Sequence, residues 1–158
     1  ELVSIASADP LRAALELVGE QLRVHGVTLI LDIPDEIPTV LADIASLQQV
    51  FLNLIVNARD ALDSVPEEGE KILRISVKEE RGFVAFRFVD SGPGLTSDVA
   101  GKVFDPFFTT KSTGKGTGLG LSLSHGIVEE HGGSIRCTPK SALGGAEFVV
   151  LIPRGDFA

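Results

Sequence analysis

The sequence predicts an α/β fold, a two-layer α+β sandwich in which a mixed β-sheet is covered on one face by helices. Three segments repeat apolar residues at intervals of three and four, as helices do, and several others alternate with period two, as strands do. The predicted order is strand, helix, strand, helix, hairpin, long loop, helix, hairpin. With 158 residues and 44% hydrophobic composition, we expect one domain covering residues 1–158.

The first helix is predicted at about 9–24, with Asp9 as its N-cap and Pro10 in its first turn. The short alternating segment at 1–5 and the β-rich V-T-L-I-L-D-I at 27–33 are predicted strands. The P-D-E-I-P segment that follows contains two prolines and is predicted to be a loop.

The second helix is predicted to begin after Asp43, which can cap it, and to run to about Ser64. Its apolar residues recur at threes and fours, so they should form one buried stripe. The predicted stripe consists of Ile44, Leu47, Phe51, Leu54, Ala58 and Ala61.

A hairpin is predicted next, because I-L-R-I-S-V-K (72–78) and F-V-A-F-R-F-V (83–89) alternate with period two around E-E-R-G. Asp90 then lies at the exit of the hairpin. Residues 95–116 show neither helical nor strand periodicity, and a connection of that length is usually functional, so we interpret it as a lid.

The last helix is predicted at about 117–131, closed by Gly132 and Gly133. Two final strands follow, S-I-R-C-T and A-E-F-V-V-L-I, and Pro153 ends the second. All three histidines fall in or beside helices, and we interpret His25, His125 and His131 as structural.

Charge and composition exclude several classes of function. The formal net charge of −8 argues against nucleic acid or an anionic membrane as a partner, since both need clustered Lys and Arg. No apolar run reaches the length of a membrane span, and the single cysteine, Cys137, cannot form an internal disulfide. We expect a piece of a longer protein, because residue 1 is Glu and Met is absent. The piece itself is expected to be cytoplasmic, since its single cysteine fits a reducing compartment, and monomeric.

Polar residues follow one flank of the second helix at intervals of four, four and three: Gln49, Asn53, Asn57 and Asp60. A solvated helix face is the alternative, but such a face favours Glu, Lys or Arg over two asparagines. An amide oxygen is a suitable ligand for Mg²⁺, which prefers hard oxygen donors and keeps phosphates and waters in its shell. This row is therefore a candidate metal-binding flank.

Three segments predict a nucleotide site with a lid. Two of them contain glycines, D-S-G-P-G (90–94) and G-K-G-T-G-L-G-L-S (114–122), and between them lies F-D-P-F-F-T-T-K (104–111). Glycines allow close approach to a ligand, and glycines opening a helix present free N–H groups to an anion such as polyphosphate. The segments match neither G-x-x-x-x-G-K-[ST] nor G-x-G-x-x-G after a strand, which excludes the two commonest phosphate-binding motifs.

These segments resemble the N, G1, F, G2 and G3 boxes of sensor histidine kinases. The boxes are N-L-I-V-N-A (53–58), D-S-G-P-G (90–94), F-D-P-F-F (104–108), G-T-G-L-G-L-S (116–122) and G-G-A-E-F-V-V-L-I-P (144–153). Their order and spacing also match, over essentially the whole chain. The resemblance implies the Bergerat ATP-binding fold of the GHKL superfamily, and N-A-R-D-A-L with F-F-T-T-K is similar to the nitrogen-regulator-like group.

The resemblance also implies roles for individual residues. Asn57 matches the asparagine that binds Mg²⁺, with Asn53 one turn before it, and Asp90 matches the carboxylate that accepts a hydrogen bond from the adenine amino group. The phenylalanines of the lid are either the hinge of a closing flap or core residues of a long loop. The implied ATP-binding residues are Asn53, Asn57, Asp60, Asp90, Gly92, Gly94, Phe107, Lys111, Lys115, Gly116, Thr117, Gly118, Leu119 and Gly120.

The chain departs from the family pattern at three points. It lacks the phosphoacceptor histidine box, which places the acceptor on another domain. Asp60 stands where many members have Lys or Arg, so a direct phosphate contact from it is doubtful. Ala146 stands where many members have Thr near the adenine, which implies a thinner water network there.

The implied function is to bind Mg-ATP and pass its γ-phosphoryl group to a histidine on the dimerisation and phosphoacceptor domain of a homodimeric parent, with a response-regulator receiver domain as an indirect partner. One alternative is a GHKL-type ATPase. Those proteins place a water-activating Glu where this chain has Asn53, and an amide cannot accept the proton. The other alternative is a nucleotide-binding module without enzymatic activity.

Overall fold

The computed structural model describes residues 1–106, 108 and 120–155. The candidate site residues Phe107, Lys111, Lys115, Gly116, Thr117, Gly118 and Leu119 lie outside that part of the chain. The elements are β1 (Val3–Ala6), α1 (Asp9–Val24), β2 (Thr28–Asp32), β3 (Thr39–Ala42), α2 (Ile44–Asp63), β4 (Ile72–Glu80), β5 (Phe83–Asp90), α3 (Ser97–Ala100), α4 (Gly120–Glu130), β6 (Ser134–Thr138) and β7 (Glu147–Pro153).

The main sheet has five strands in the order β2-β4-β5-β7-β6. β2 is parallel to β4 and the other neighbours are antiparallel, so the sheet is mixed, as the sequence predicts. The predicted hairpin is β4-β5, with Ile75 opposite Phe88 and Val77 opposite Phe86. These four side chains are buried and point to one face, which follows from the period-two alternation of the sequence.

Helices cover that face. α2 packs against β4 and β5, and α4 packs against β6 and β7. The Phe51 ring of α2 lies 4.7 Å from the Phe86 ring and 5.7 Å from the Phe88 ring, measured between centroids. The opposite face of the sheet carries charged side chains such as Arg74 and Arg136, both exposed. The predicted two-layer arrangement is therefore confirmed.

The long helices lie where the sequence predicts them, and one of the two predicted caps is right. The Asp43 carboxylate accepts a hydrogen bond from the Ser46 amide at 3.0 Å, which caps α2. Asp9 is not the cap of α1: the backbone hydrogen bonding begins one residue earlier, with Arg12 N–H donating to Ala8 C=O at 2.9 Å. Asp9 instead occupies the first turn, where a negative charge favours the helix dipole.

One strand, β3, was not predicted from the sequence; it consists of T-V-L-A between Pro38 and the α2 cap. It pairs with β1 in a separate two-stranded antiparallel sheet. Four residues after a proline are too short for a periodicity signal, and the pairing partner lies far away in sequence. The predicted stripe of α2 also needs correction: Ile44 is 42% exposed, Ala61 is half-buried, and the buried stripe begins at Leu47.

The segment predicted to lack periodicity contains a single helical turn, α3, capped by Thr96. Val103 after it is buried. The Phe104 ring packs edge-on against the Phe148 ring at 6.2 Å and lies 5.5 Å from the His125 ring. Phe104 is thus a packed residue joining the loop to β7 and α4, which favours the core alternative for this phenylalanine.

The described part of α4 begins at Gly120, and the predicted start at Thr117 lies outside the described ranges. Gly132 ends the helical segment in the left-handed region, at φ +75°. His131 is structural, as predicted: its Nδ1 bonds to Ile127 C=O at 2.8 Å and its Nε2 accepts from the Asp43 amide at 3.1 Å. None of the helices in the described part of the chain combines the length and the apolar character needed to span a bilayer.

Candidate nucleotide-binding site

The described candidate residues gather in two regions, one on α2 and one next to it. One region consists of segments 90–94 and 139–146, here termed the Asp90 clamp. The other is the row Gln49, Asn53, Asn57 and Asp60, here termed the α2 flank. The α2 flank is part of α2, and its Asn53 contacts Gly120 at the start of α4. The Asp90 clamp also lies against α2, since a Cβ on Gly92 would lie 3.4 Å from the Ala61 carbonyl oxygen.

Asp90 is the buried acid of the clamp, with 4% of its surface exposed. Its Oδ1 accepts a hydrogen bond from the Gly92 amide at 2.8 Å. Its own backbone is held from both sides, since its N–H donates to Ala146 C=O at 3.2 Å and its C=O accepts from Gly145 N–H at 3.1 Å. This position follows from the register of β5, whose last residue pairs with Leu73 on the helix-covered face.

Burial raises the pKa of Asp90, and the backbone N–H groups of Gly92 and Ala146 oppose that shift. A carboxylate has about four lone-pair positions. The N–H groups of Gly92 and Ala146 use at most two of them, so the group retains acceptor capacity for a ligand. A buried carboxylate with unused acceptor capacity is a typical feature of a binding site.

The two predicted glycines of the first segment are required by neighbouring protein atoms. A Cβ on Gly92 would lie 2.9 Å from Asp90 Oδ1. Gly94 has φ +75°, and a Cβ there would lie 2.9 Å from the carbonyl oxygens of Pro139 and Gly144. The Leu95 amide then donates to the Pro139 carbonyl at 2.8 Å. The glycines let two backbone segments pack directly against each other.

On the α2 flank, Asn53 is already committed to protein contacts. Its Nδ2 donates to Gly120 C=O at 3.1 Å and to Ser124 Oγ at 3.2 Å, and its Oδ1 accepts from Gln49 Nε2 at 2.7 Å. The orientation of the amide is determined, because a carbonyl oxygen can only accept. Asn53 therefore ties the middle of α2 to the first turn of α4.

Asn57, one turn later, differs from Asn53. Its side chain is half-buried, and within the described ranges it has no side-chain hydrogen bond to the protein. Its amide oxygen is thus available to a ligand. Among described residues, no group of three or more His, Cys, Asp or Glu could hold a metal ion. A metal bound by a single protein oxygen together with phosphate and water fits this donor set.

Asp60 pairs with its neighbour, because Arg59 Nη2 lies 3.1 Å from its Oδ1. The other Nη of Arg59 donates to Gln21 of α1. Asp60 thus forms an ion pair with the residue before it in the sequence. Gly120, the remaining described candidate, contributes its carbonyl to Asn53 at the start of α4.

Gly145 and Ser124 are two residues of the site that were not predicted from the sequence. Ser124 is fully buried and bonds to Asn53. Gly145 lies against Asp90 across the clamp, and the closing G-G pair was the signal that could have found it. Cys137 also lies on this side: burial and the nearby charge of Asp90 raise the pKa of its thiol to about 11, so it is protonated at neutral pH.

Comparison with protein families decides the relationship. The family described as "Histidine kinase-, DNA gyrase B-, and HSP90-like ATPase" matches residues 42–156, which include the whole α2 flank and the whole Asp90 clamp. The chain belongs to this family. Its relatives in sequence and structure are sensor histidine kinases, so the chain is a histidine kinase catalytic domain of the GHKL type.

The catalytic domain is 40% identical to the two-component sensor PprA of Pseudomonas aeruginosa over 150 residues, which cover 92% of this chain and 16% of PprA. It therefore spans a small part of that relative. The catalytic domain of histidine kinase ThkA superposes with a TM-score of 0.84 at 30% identity, covering 98% of this chain and 97% of that one.

Two further similar structures are complexes. Full-length ShkA in complex with AMPPNP matches with a TM-score of 0.82 at 26% identity, over 100% of this chain and 32% of ShkA. ThkA in complex with the response regulator protein TrrA matches with a TM-score of 0.76 at 27% identity, over 97% of this chain and 42% of that chain. These matches support the Bergerat-type fold predicted from the sequence boxes.

Proposed function

We propose that this catalytic domain, residues 1–158, binds Mg-ATP and donates the γ-phosphoryl group to a histidine on the dimerisation and phosphoacceptor domain of its parent protein. The observation that carries the proposal is Asp90, a buried carboxylate with unused acceptor capacity at the end of β5. Such a group is costly to bury without a partner, and an adenine amino group supplies one.

Base recognition would depend on the negative charge of the Asp90 carboxylate and on its acting only as a hydrogen-bond acceptor. An ionised carboxylate only accepts hydrogen bonds, so it favours a base that presents an amino group and disfavours one that presents a carbonyl. Adenine carries its amino group at C6, where guanine carries a carbonyl, so a carboxylate that faces this position favours ATP over GTP. The relative ShkA was crystallised with AMPPNP, an adenine nucleotide, which supports the same choice of ligand.

Metal binding is assigned to Asn57 rather than Asn53. The Asn53 amide already makes three hydrogen bonds, whereas Asn57 makes none to the described protein and can offer its oxygen. Mg²⁺ bound there would neutralise phosphate charge during transfer. Asn53 would then hold α2 and α4 in register, and the N-terminal end of α4 would face the phosphates with its free N–H groups.

Phosphoryl transfer needs positioning and charge stabilisation more than covalent chemistry from this domain. A base beside the acceptor histidine would come from the acceptor domain. The response regulator is an indirect partner, consistent with the complex of ThkA with TrrA. We propose a homodimeric parent that presents this domain in the cytoplasm.

ATP hydrolysis is the rival activity, and Asn53 argues against it. An ATPase of this family would need a general base at that position, but Asn53 is an amide whose two donor hydrogens are bound to Gly120 and Ser124. We therefore expect the isolated domain to hydrolyse ATP at a rate close to the uncatalysed background.

Calorimetry and a transfer assay test the proposal. The domain should bind ATP and ADP in the presence of Mg²⁺ and should bind GTP much more weakly. It should also label an added acceptor domain from γ-labelled ATP. Absence of binding at millimolar ATP would refute the assignment, and binding without any transfer to the parent's own acceptor domain would favour a regulatory nucleotide-binding module.

A further inference from the structure

We propose that Gly145 is a positioning residue for base recognition. Because glycine has no side chain, it leaves the space that the Asp90 carboxylate needs to keep the orientation that selects adenine. The inference rests on the proposed function, in which Asp90 is the acceptor for the base. Gly145 would not touch the nucleotide itself but would act through the orientation of Asp90.

The contact between the two residues leaves no room for a methyl group. A Cβ on Gly145 would overlap both Oδ1 and the carbonyl oxygen of Asp90, and would lie 2.7 Å from the Gly92 amide nitrogen. Gly145 is not among the described glycines with positive φ. Position 145 therefore requires glycine for a steric reason, because any side chain there would collide with Asp90.

The backbone around Gly145 cannot easily retreat from this overlap. Its N–H donates to Asp90 C=O at 3.1 Å and its C=O accepts from the Ser141 amide at 2.6 Å, while the Asp90 amide donates to the next residue, Ala146, at 3.2 Å. Two of these hydrogen bonds hold the loop against the end of β5, and the bond from Ser141 closes the loop on itself. A side chain at position 145 should displace the more mobile group, the Asp90 carboxylate.

Displacing that carboxylate breaks the bond that orients it. Oδ1 accepts from the Gly92 amide at 2.8 Å, on the same side that a Cβ at position 145 would occupy. Rotation of the carboxylate would misdirect its second oxygen. We expect Gly145→Ala to lower ATP affinity roughly tenfold, the size of one hydrogen bond to a charged group, and to reduce the preference for ATP over GTP.

Gly144→Ala is the matched control. Gly144 has φ +97°, so alanine there strains the same loop, but a Cβ would meet no atom within 4 Å. Both variants should be less stable than the wild type, and only Gly145→Ala should change base selectivity. If the two variants change the ATP-to-GTP affinity ratio equally, Gly145 has a structural role only and the proposal is wrong.

A double-mutant cycle examines whether Gly145 acts through Asp90. In an Asp90→Asn background the added Gly145→Ala change should alter ATP affinity less than about twofold, because the acceptor it positions is already lost. Full additivity of the two effects would contradict the mechanism.

A spectroscopic test separates this inference from the proposed function. The amide proton of Gly92 should shift in the ¹⁵N–¹H spectrum of Gly145→Ala without nucleotide, and should stay unchanged in Gly144→Ala. This comparison remains valid if the wild type binds no ATP, in which case the proposed function fails by itself. An unchanged Gly92 signal in Gly145→Ala would overturn the positioning role.

If Gly145→Ala does not fold, the double variant Gly145→Ala/Asp90→Ala tests whether the overlap with the carboxylate causes the defect, since this variant lacks the carboxylate. A dispersed spectrum for the double variant is the expected result. If the double variant is equally unfolded, the overlap with the Asp90 carbonyl oxygen is enough to explain the defect, and the proposal is overturned.

Discussion

The Asp90 clamp and the α2 flank hold polar groups in opposite ways. In the clamp, the carboxylate is buried and oriented by backbone atoms from two segments that glycines allow to come together. On the flank, the polar groups are side chains on one rigid helix, and they differ only in which hydrogen bonds they already make. Mutations that add bulk should therefore damage the clamp, and mutations that remove a side chain should damage the flank.

The largest expected effect is that of Asp90→Asn in the clamp. Losing a hydrogen bond to a charged group costs about 1.5–3 kcal/mol, so ATP affinity should fall by roughly 10-fold to 100-fold. Calorimetry of both proteins with ATP measures this. Affinity within twofold of the wild type would remove Asp90 from the base site.

The same variant should be more stable than the wild type without nucleotide. Burial raises the pKa of Asp90, so the stability associated with its protonated form is present at low pH and is lost as pH rises through that pKa. Asparagine stays neutral throughout. The gain in unfolding free energy should be clear at neutral pH and should shrink as pH falls, as measured by denaturant unfolding across pH.

On the flank, Asn57→Ala should lower the affinity for Mg-ATP about tenfold, a loss similar to one bond to a charged group. The affinity for ATP with EDTA should stay the same, because only the metal contact is removed. Titrations with and without Mg²⁺ measure the difference. Equal losses in both conditions would show that Asn57 contacts the nucleotide and not the metal.

Asn53→Ala should lower stability more than it lowers Mg²⁺-dependent affinity. It leaves the fully buried Ser124 hydroxyl and the Gly120 carbonyl without their donor, which costs about 1–3 kcal/mol. Denaturant unfolding measures the loss, and Asn53→Asp is the control, since a carboxylate cannot donate to Gly120. Full stability in Asn53→Asp would contradict the assigned hydrogen bonds.

The smallest effect is expected for Gly120→Ala. A Cβ there would lie 3.8 Å from Asn53 Cγ, which is an ordinary contact. Gly120 is also not among the described glycines with a positive φ. Alanine is a better helix former by about 1 kcal/mol in a helix interior, so stability should be unchanged or slightly higher. If Gly120→Ala lost as much stability as is expected for Gly145→Ala, the space around each glycine would not explain how well it tolerates a side chain.

Local signals predicted much of the fold. Asp43 caps α2 as expected because a cap depends on only a few neighbouring residues, and the β4-β5 hairpin follows from alternation around a short turn. β3 was missed because its four residues gain their structure from β1, more than 30 residues away in sequence. Asp9 was misplaced as a cap because the choice between adjacent residues depends on backbone dihedrals that the sequence does not show.

The sequence by itself determined the family, the α/β class and the short set of polar and glycine residues around the site, because these follow from residue type and spacing. Tertiary structure alone decided how the members of that set differ. Asn53 and Asn57 are equivalent in sequence spacing, and only the arrival of α4 commits one of them to hydrogen bonds. Likewise Gly144 and Gly145 cannot be distinguished in the sequence, and they differ only because β5 places Asp90 against Gly145. The physical reason is that burial and hydrogen bonding depend on segments distant in sequence, whose approach no local pattern records.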